Sequence, residues 1–282
     1  MRAAAKVCKK INRLFPPPVH PFNVRAETGV SYAEWQFAKG LDTIKFFLPV
    51  ATPEEMFKDK VVLDMGCGAA GKTLFYASYG VKKIYGLELL GHYQAEANTL
   101  AAKLGFADCF EFMAEDVAKL PFDDNSIDTI IINDVFEHLD EPEASLREAL
   151  RVLKQGGRIY LNFPPYHHPF GAHLSDAIFI PWVHLFFADA TLIEVYKDAV
   201  STLPDGVERV KFRISETKDG VPYFSYINKM TIKRAKRIFK TMGLRPIYYR
   251  EVPLRKIVAP LAKLPLLKEV FVKMVVCVFE KE

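Results

Sequence analysis

The chain has 282 residues, 50% of them hydrophobic, which is enough to bury the core of one large domain with insertions, or of one domain and a cap. Its net charge of +4 is small, and no dense stripe of lysine and arginine with interleaved aromatic residues occurs, so we expect no nucleic-acid partner. The four cysteines are scattered without a C-x-x-C pair, which argues against a disulfide framework and a zinc knuckle and favours the reducing cytoplasm.

Residues 2–15 place apolar side chains at helical spacing and basic ones mostly elsewhere, which predicts a basic amphipathic helix that ends at the prolines of 16–18. Two interpretations stay open: peripheral docking on an anionic membrane, or packing on the domain with the basic face in solvent. We expect neither a spanning helix nor a signal peptide, because the necessary apolar runs do not occur. Residues 31–48 predict a second helical region, whose aromatic residues cover a ligand pocket or pack into the core.

Residues 61–72 predict a buried strand, a glycine-rich turn and the start of a helix. Gly66 and Gly68 allow a sharp turn that a ligand can approach, and the amides that open the next helix can bind anionic or polar groups. The stretch fits the dinucleotide pattern G-x-G-x-x-G and also the ATPase pattern G-x-x-x-x-G-K-T, which ends at Lys72 and Thr73. It therefore predicts a nucleotide-binding turn and leaves the nucleotide open.

From residue 60 onwards, strand patterns alternate with helix patterns, which predicts a mostly parallel sheet covered by helices on both faces. Residues 164–230 interrupt this alternation with a loop and an aromatic-rich segment, which we interpret as an insertion after the fifth strand. The predicted strands are 61–65, 83–87, 109–113, 126–132, 158–163, 245–252 and 271–280. Ligands bind at the carboxyl ends of such strands. The acidic residues at these ends are Asp64, Glu88, Asp116 and Asp134.

The carboxylate of Asp64 argues against a phosphate ligand, because it precedes the first glycine by two residues and would repel a bound pyrophosphate. In an ATPase, Lys72 would reach the phosphates and Thr73 the magnesium ion. In a dinucleotide oxidoreductase, Glu88 would bind the ribose hydroxyls. Neither alternative needs the third acidic residue, Asp116. A cationic or zwitterionic ligand fits Asp64 better.

Several short motifs together carry a family resemblance: the stretch 62–68, Glu88, the stretches 115–117 and 120–122, Ser-Ile-Asp at 126–128, the stretch 133–139 and Leu-Lys-Gln-Gly-Gly at 153–157. In this order and spacing, residues 58–164 resemble a class I S-adenosylmethionine-dependent methyltransferase, in the broad small-molecule group that includes ubiquinone and sterol methylating enzymes. The resemblance implies an α/β fold: a Rossmann-like, mostly parallel seven-stranded sheet with helices on both faces and a helical, aromatic cap. Together with the patterns outside it, we expect N-terminal helices with a lid (1–57), a cofactor-binding core (58–163), a cap lining the acceptor site (164–230) and a C-terminal helix and strands (231–282).

The resemblance makes S-adenosylmethionine the expected cofactor. Asp64 would support the turn and the ammonium group, and Glu88 would accept both ribose hydroxyls. Lys72 would face solvent. For Asp116 or Asp134 alone, a loop or capping role is the alternative. The implied cofactor-binding residues are Asp64, Gly66, Cys67 and Gly68 at the turn, Glu88 at the ribose, Leu89, Asp116 and Val117 at the adenine, and Asn133 and Asp134 beneath the methionine portion.

Methyl transfer is an in-line displacement, so the protein has mainly to align the acceptor and exclude water. A general base is needed only if the acceptor keeps its proton near neutral pH. We expect an oxygen acceptor, with a histidine at the ligand edge as base. The catalytic candidates are His138, His167, His168 and His173. The alternatives are ordinary loop histidines, or a metal site with Asp176; this spacing matches no zinc signature, so we assign no metal.

The aromatic cap favours a small-molecule or lipid-like acceptor over a protein or nucleic acid. The alternative is that these aromatic residues only form the hydrophobic core of the cap. An ATPase, and a non-catalytic cofactor-binding protein of the same fold, stay open as alternative functions. The sequence leaves the oligomeric state open.

Overall fold

The computed structural model describes residues 2–18 and 29–282. The α-helices are α1 (Ala3–Asn12), α2 (Tyr32–Ala38), α3 (Gly40–Ile44), α4 (Pro53–Phe57), α5 (Gly71–Ala77), α6 (Gln94–Leu104), α7 (Pro142–Val152), α8 (Val183–Phe186), α9 (Asp189–Val200), α10 (Gly206–Arg213), α11 (Ile232–Thr241) and α12 (Lys268–Phe271). The strands are β1 (Val61–Met65), β2 (Lys83–Leu87), β3 (Phe110–Met113), β4 (Ile127–Asn133), β5 (Leu153–Phe163), β6 (Ile214–Glu216), β7 (Pro222–Phe224), β8 (Tyr248–Pro253) and β9 (Val272–Glu280). Among the residues described, no helix combines the length and apolar character needed to cross a bilayer.

Seven strands form one sheet in the order β3-β2-β1-β4-β5-β9-β8, in which β1 to β5 pair in parallel and β9 runs antiparallel to both of its neighbours. The predicted mostly parallel sheet is therefore confirmed. The bounds of β1 and β2 match the predicted strands 61–65 and 83–87. Strand β5 begins earlier than predicted, because residues 153–157 continue the backbone of the strand.

Each face of the sheet is covered by its own hydrophobic cluster. Successive side chains of a strand point to opposite faces, so Leu63 packs with α7 and α11, and its neighbour Val62 packs with the helices α4, α5 and α6. A strand that is buried on both faces is apolar along most of its length, and β1 was recognisable in the sequence because only Asp64 interrupts its apolar residues.

Residues 164–230 lie between β5 and α11 and build a third hydrophobic cluster, which also contains Ala5 and Cys8 of α1. The Asn12 side chain ties α1 to this segment, because its amide donates to the Ala177 carbonyl and its oxygen accepts from the Phe179 amide. The helix predicted over 2–15 is thus present, and its contacts favour packing on the protein. The division at residues 57, 163 and 230 stays a prediction.

A buried ion network holds the interior of this segment together. The Asp176 carboxylate pairs with Arg213 at 2.9 Å and with Arg209 at 3.4 Å, and it accepts a hydrogen bond from the Tyr196 hydroxyl at 2.8 Å. A buried carboxylate needs such partners, since an unpaired one is costly to desolvate. Asp176 is therefore a packing residue, and the alternative that made it a metal ligand is wrong.

Candidate functional site

A cleft of about 1160 Å³ opens at the carboxyl edge of the sheet, between the strand ends, α2 and the segment 164–230. Most of the predicted site residues lie on its walls. Those that line it are Asp64, Gly66, Cys67, Gly68, Glu88, Leu89, Asp116, Val117, Asn133, Asp134, His138, His168 and His173. His167 does not line it; its ring packs against Tyr166 with 5.5 Å between centroids. The cleft therefore brings together all but one of the predicted positions.

The glycine turn is held against β2 by its backbone. The amides of Gly66 and Cys67 both donate to the Leu87 carbonyl, at 2.7 and 3.0 Å. Gly66 has a φ of +75°, and a Cβ atom there would lie 2.4 Å from Cγ2 of Val135. Both the left-handed backbone and the close contact require glycine, so this position shapes the floor of the cleft.

Glu88 connects the turn to the loop that follows β2. One carboxylate oxygen accepts from the Gly68 amide at 3.0 Å and the other from the Leu90 amide at 3.1 Å. A carboxylate offers about four acceptor positions, so each oxygen keeps capacity for a ligand hydroxyl. The two backbone bonds fix the orientation of the group toward the cleft.

Asp64 is buried at the end of β1 and accepts a hydrogen bond from Thr73 Oγ1 at 2.6 Å. Burial raises the pKa of Asp64 to about 7, while the Thr73 hydrogen bond and the Lys72 charge oppose the shift. Because Thr73 is fully buried and already bonded to a carboxylate, it is not presented as a magnesium ligand. This arrangement gives the ATPase interpretation no support.

Lys72 extends into the cleft, where its ammonium lies 3.5 Å from Asp134 Oδ2 and its side chain is only 20% exposed. The expectation that Lys72 faces solvent is therefore wrong. The helix start places its side chain over the ends of β1 and β4, and the Asp134 carboxylate attracts it. Gly71 is explained by packing, since a Cβ atom there would lie 1.9 Å from the Ala33 carbonyl oxygen.

Helix α2 covers the glycine turn. Its start is fixed by a capping box between Ser31 and Glu34. The side chain of Gln36, buried in this helix, accepts from the Gly71 amide at 3.2 Å and lies 3.5 Å from the Cys67 carbonyl. Tyr32 and Trp35 line the cleft beside it. Both interpretations of the aromatic residues in 31–48 are therefore confirmed, because Tyr32 and Trp35 cover the pocket while Phe47 is buried in the core. No pattern in the sequence singled out Gln36.

The far end of the cleft is formed by loops. Leu89 is 71% exposed, and Asp116 is exposed with one oxygen accepting from the Ala118 amide at 2.8 Å. That bond is the loop-capping role expected as the alternative for Asp116. The other oxygen of the carboxylate remains able to accept from a ligand.

At the opposite end of the cleft, two histidine rings lie next to each other, beside the buried side chain of Glu137. The rings of His138 and His173 lie 4.9 Å apart, and His138 Nδ1 is 2.6 Å from the Tyr226 carbonyl oxygen. Oε1 of Glu137, a side chain only 4% exposed, lies 3.8 Å from Nε2 of each histidine. Burial lowers the pKa of His138, so its imidazole is neutral near pH 7. Glu137 belonged to the quoted motif but was not predicted as a site residue.

Residues 63–161 match the sequence model of a family described as a methyltransferase domain. This chain contains a methyltransferase domain. The match confirms the predicted methyltransferase family for this part of the chain. The expected seven-stranded fold is present as well.

Curated relatives of this chain act on lipid-like molecules. Tocopherol O-methyltransferase of Arabidopsis thaliana is 32% identical over 115 residues, which are 41% of this chain and 33% of that protein. Sterol 24-C-methyltransferase of Gibberella zeae is 33% identical over 96 residues, which are 34% of this chain and 25% of that protein. The matches thus span about a third or less of the length of these relatives. Similarity over so short a stretch does not show which acceptor this chain methylates.

Solved structures show the same fold. A SAM-dependent methyltransferase from Methanosarcina mazei aligns with a TM-score of 0.53 at 18% identity and covers 84% of this chain and 96% of that chain. The coverage extends well beyond residues 63–161. At this identity the likeness concerns the fold alone.

Proposed function

We propose that this protein transfers the methyl group of S-adenosylmethionine to a hydroxyl oxygen of a small, lipid-like acceptor. The observation that carries the proposal is the convergence of Asp64, Glu88 and Asp134 on one glycine turn at the carboxyl edge of the sheet. This set of acidic groups and backbone amides fits a ligand with an ammonium group, a diol and a carboxylate. When bound, S-adenosylmethionine supplies a methyl group activated by its sulfonium.

Different residues along the cleft would bind different parts of the cofactor. Glu88 accepts the ribose hydroxyls, and Asp64 with Asp134 balances the cationic methionine end. Asp116 and Val117 hold the adenine, as the family resemblance implies. Tyr32 and Trp35 on α2 cover the cofactor and exclude water, which preserves the alignment of the reacting atoms.

The acceptor would lie at the histidine end of the cleft. His138 donates from Nδ1 to the Tyr226 carbonyl, which leaves the lone pair of Nε2 available to take a proton. Phe170, Phe212 and Tyr226 line the same region and supply apolar surface for a ring or a chain. In this arrangement His138 is the base and His173 is its neighbour, while His168 contacts the acceptor from the cleft wall.

We further propose peripheral contact with a membrane, through a surface other than α1. Phe186 is 74% exposed and Leu266 is 92% exposed, although they lie in different segments. Trp182 joins these segments, since its indole nitrogen donates to the Val270 carbonyl. Basic side chains at 255, 256 and 263 accompany the apolar ones. We name residues 185–186 and 255–267 the apolar-basic patch. Its larger part, 255–267, follows β8 at the carboxyl edge of the sheet, the edge at which the cleft opens.

The test is methyl transfer from tritiated S-adenosylmethionine to a panel of phenols, quinols and sterols presented in detergent micelles. We expect label in a quinol or phenol product, with reduced turnover for His138→Ala but not for His167→Ala. Product analysis by NMR separates oxygen from carbon methylation. Cofactor binding without label in any product, and without any effect of the histidine changes, would favour a non-catalytic binding protein instead.

A further inference from the structure

Glu137 is a buried polar side chain next to the cleft whose carboxyl oxygens lack hydrogen-bond partners within the described part of the chain. The side chain is almost fully buried. An ionised carboxylate in such a place is costly, and proteins keep the group neutral, pair it with a charge or bind a metal ion to it. The groups that face it are the Nε2 atoms of His138 and His173, each 3.8 Å from Oε1.

The spacing of these three groups suits an ion between them. One ligand atom from each of Glu137, His138 and His173 lies within 4.8 Å of the other two. Zinc ligands stand about 2.0 to 2.2 Å from the metal, so two atoms 3.8 Å apart can flank a single ion with little movement. A small movement of the His173 loop toward Glu137 would bring all three ligand atoms to coordination distance from one ion.

The surroundings also hold both histidines in place. His138 donates its other ring nitrogen to a backbone carbonyl, that of Tyr226, an outer contact typical of metal-bound histidine. The Tyr226 hydroxyl in turn shares its one proton between the backbone carbonyls of Ala172 and His173, at 2.7 and 2.5 Å. His173 itself has a φ of +51°, an uncommon backbone for this residue that tertiary contacts must hold in place. One tyrosine thus holds the ring of His138 and the backbone of His173.

We propose that Glu137, His138 and His173 bind one divalent transition-metal ion at the acceptor end of the cleft. Two imidazoles and one carboxylate suit zinc or ferrous iron better than magnesium or calcium, which prefer all-oxygen sites. Three protein ligands leave a coordination position open, and both histidines line the cleft, so that position faces the acceptor.

The role of the ion in catalysis rests on the proposed function, whereas its binding does not. A bound divalent ion lowers the pKa of a coordinated hydroxyl, and the displaced proton leaves to solvent. His138 would then act as a ligand, and the base role assigned above would belong to the metal-free protein. In both states the acceptor oxygen lies at the histidine end of the cleft, beside His138 and His173.

The experiment uses the full chain without a histidine tag, stripped with a chelator and then dialysed against Zn²⁺. Bound metal is measured by elemental analysis, and Co²⁺ serves as a second probe through its visible absorption. We expect one ion per chain. Glu137→Gln and His173→Ala should weaken binding at least tenfold, about the smallest effect seen when even an outer contact of a metal site is lost. His167→Ala, a histidine outside the cluster, should bind as the wild type does.

A stability measurement shows whether a variant lost the site or lost its fold. Glu137→Gln keeps the shape of a buried group whose oxygens have no hydrogen-bond partner among the described residues, so without metal its thermal midpoint should stay close to that of the wild type. Zn²⁺ should raise the midpoint of the wild type and not that of the variant. The proposal is overturned if no saturable binding occurs, or if all three variants bind equally. Failure of S-adenosylhomocysteine to bind would refute the proposed function and leave the metal result untouched.

Discussion

The change Glu88→Ala tests the proposed ribose contact. The structure gives Glu88 two bonds from backbone amides at 3.0 and 3.1 Å, which aim its remaining acceptor positions into the cleft. A hydrogen bond to a charged group contributes about 1.5 to 3 kcal/mol, so losing two ribose bonds costs about 3 kcal/mol or more. At about 1.4 kcal/mol for each tenfold change, the Kd for S-adenosylhomocysteine should rise by at least about 100-fold.

The assay is isothermal titration calorimetry with the wild type, Glu88→Ala and a matched control. Glu111→Ala is that control, because its carboxylate pairs with Lys83 on the neighbouring strand and lies away from the cleft. Circular dichroism must first show that Glu88→Ala folds, since two amides lose their acceptor. A Kd within about threefold of the wild type, in a folded variant, would refute the ribose role because it corresponds to under 1 kcal/mol.

Three further outcomes follow from the structure. Because the pKa of Asp64 is raised to about 7, this group stabilises the free protein at acid pH and loses that contribution as pH rises to about 7. A cationic ammonium beside it favours ionised Asp64, so affinity for S-adenosylhomocysteine should rise between about pH 5.5 and 7.5; a titration series with flat or falling affinity contradicts the contact. Gly66→Ala should unfold at lower temperature than Gly80→Ala, since both glycines have a positive φ but only the first would meet a neighbouring side chain. Phe186→Ser combined with Leu266→Ser should reduce cosedimentation with anionic vesicles at least tenfold, since burying each side chain contributes about 1.5 to 3 kcal/mol; unchanged cosedimentation would exclude the apolar-basic patch as the contact.

The sheet was predictable because its strands carry strong local signals. Strand β1 is apolar except for Asp64 and leads directly into the glycines, and the turn needs the left-handed backbone that Gly66 adopts easily. Parallel strands bring their carboxyl ends to one edge, so chain order alone placed Asp64, Glu88 and Asp134 together. The order of the strands can be predicted from a single sequence because each strand and helix is recognisable from its own local pattern.

The contacts between distant elements were not predictable in the same way. Gln36 looks like any polar residue of an amphipathic helix until α2 packs over the glycine turn. Lys72 was expected in solvent because its pairing with Asp134 depends on how α5 sits above β4. Glu137 becomes notable only when the fold buries it beside two histidines that are 35 residues apart in the chain. Such side chains derive their role from tertiary packing, which local patterns do not contain.

Binding of the cofactor is the most direct test of the central claim. Thermal unfolding of the full chain should be measured with S-adenosylhomocysteine, ATP with magnesium, and NAD, each over a range of concentrations. We predict that S-adenosylhomocysteine raises the midpoint in a saturable manner, because it binds only the folded state, and that the other two leave it unchanged. Stabilisation by ATP with magnesium alone would contradict the proposed methyltransferase and restore the phosphate-binding interpretation of the glycine turn.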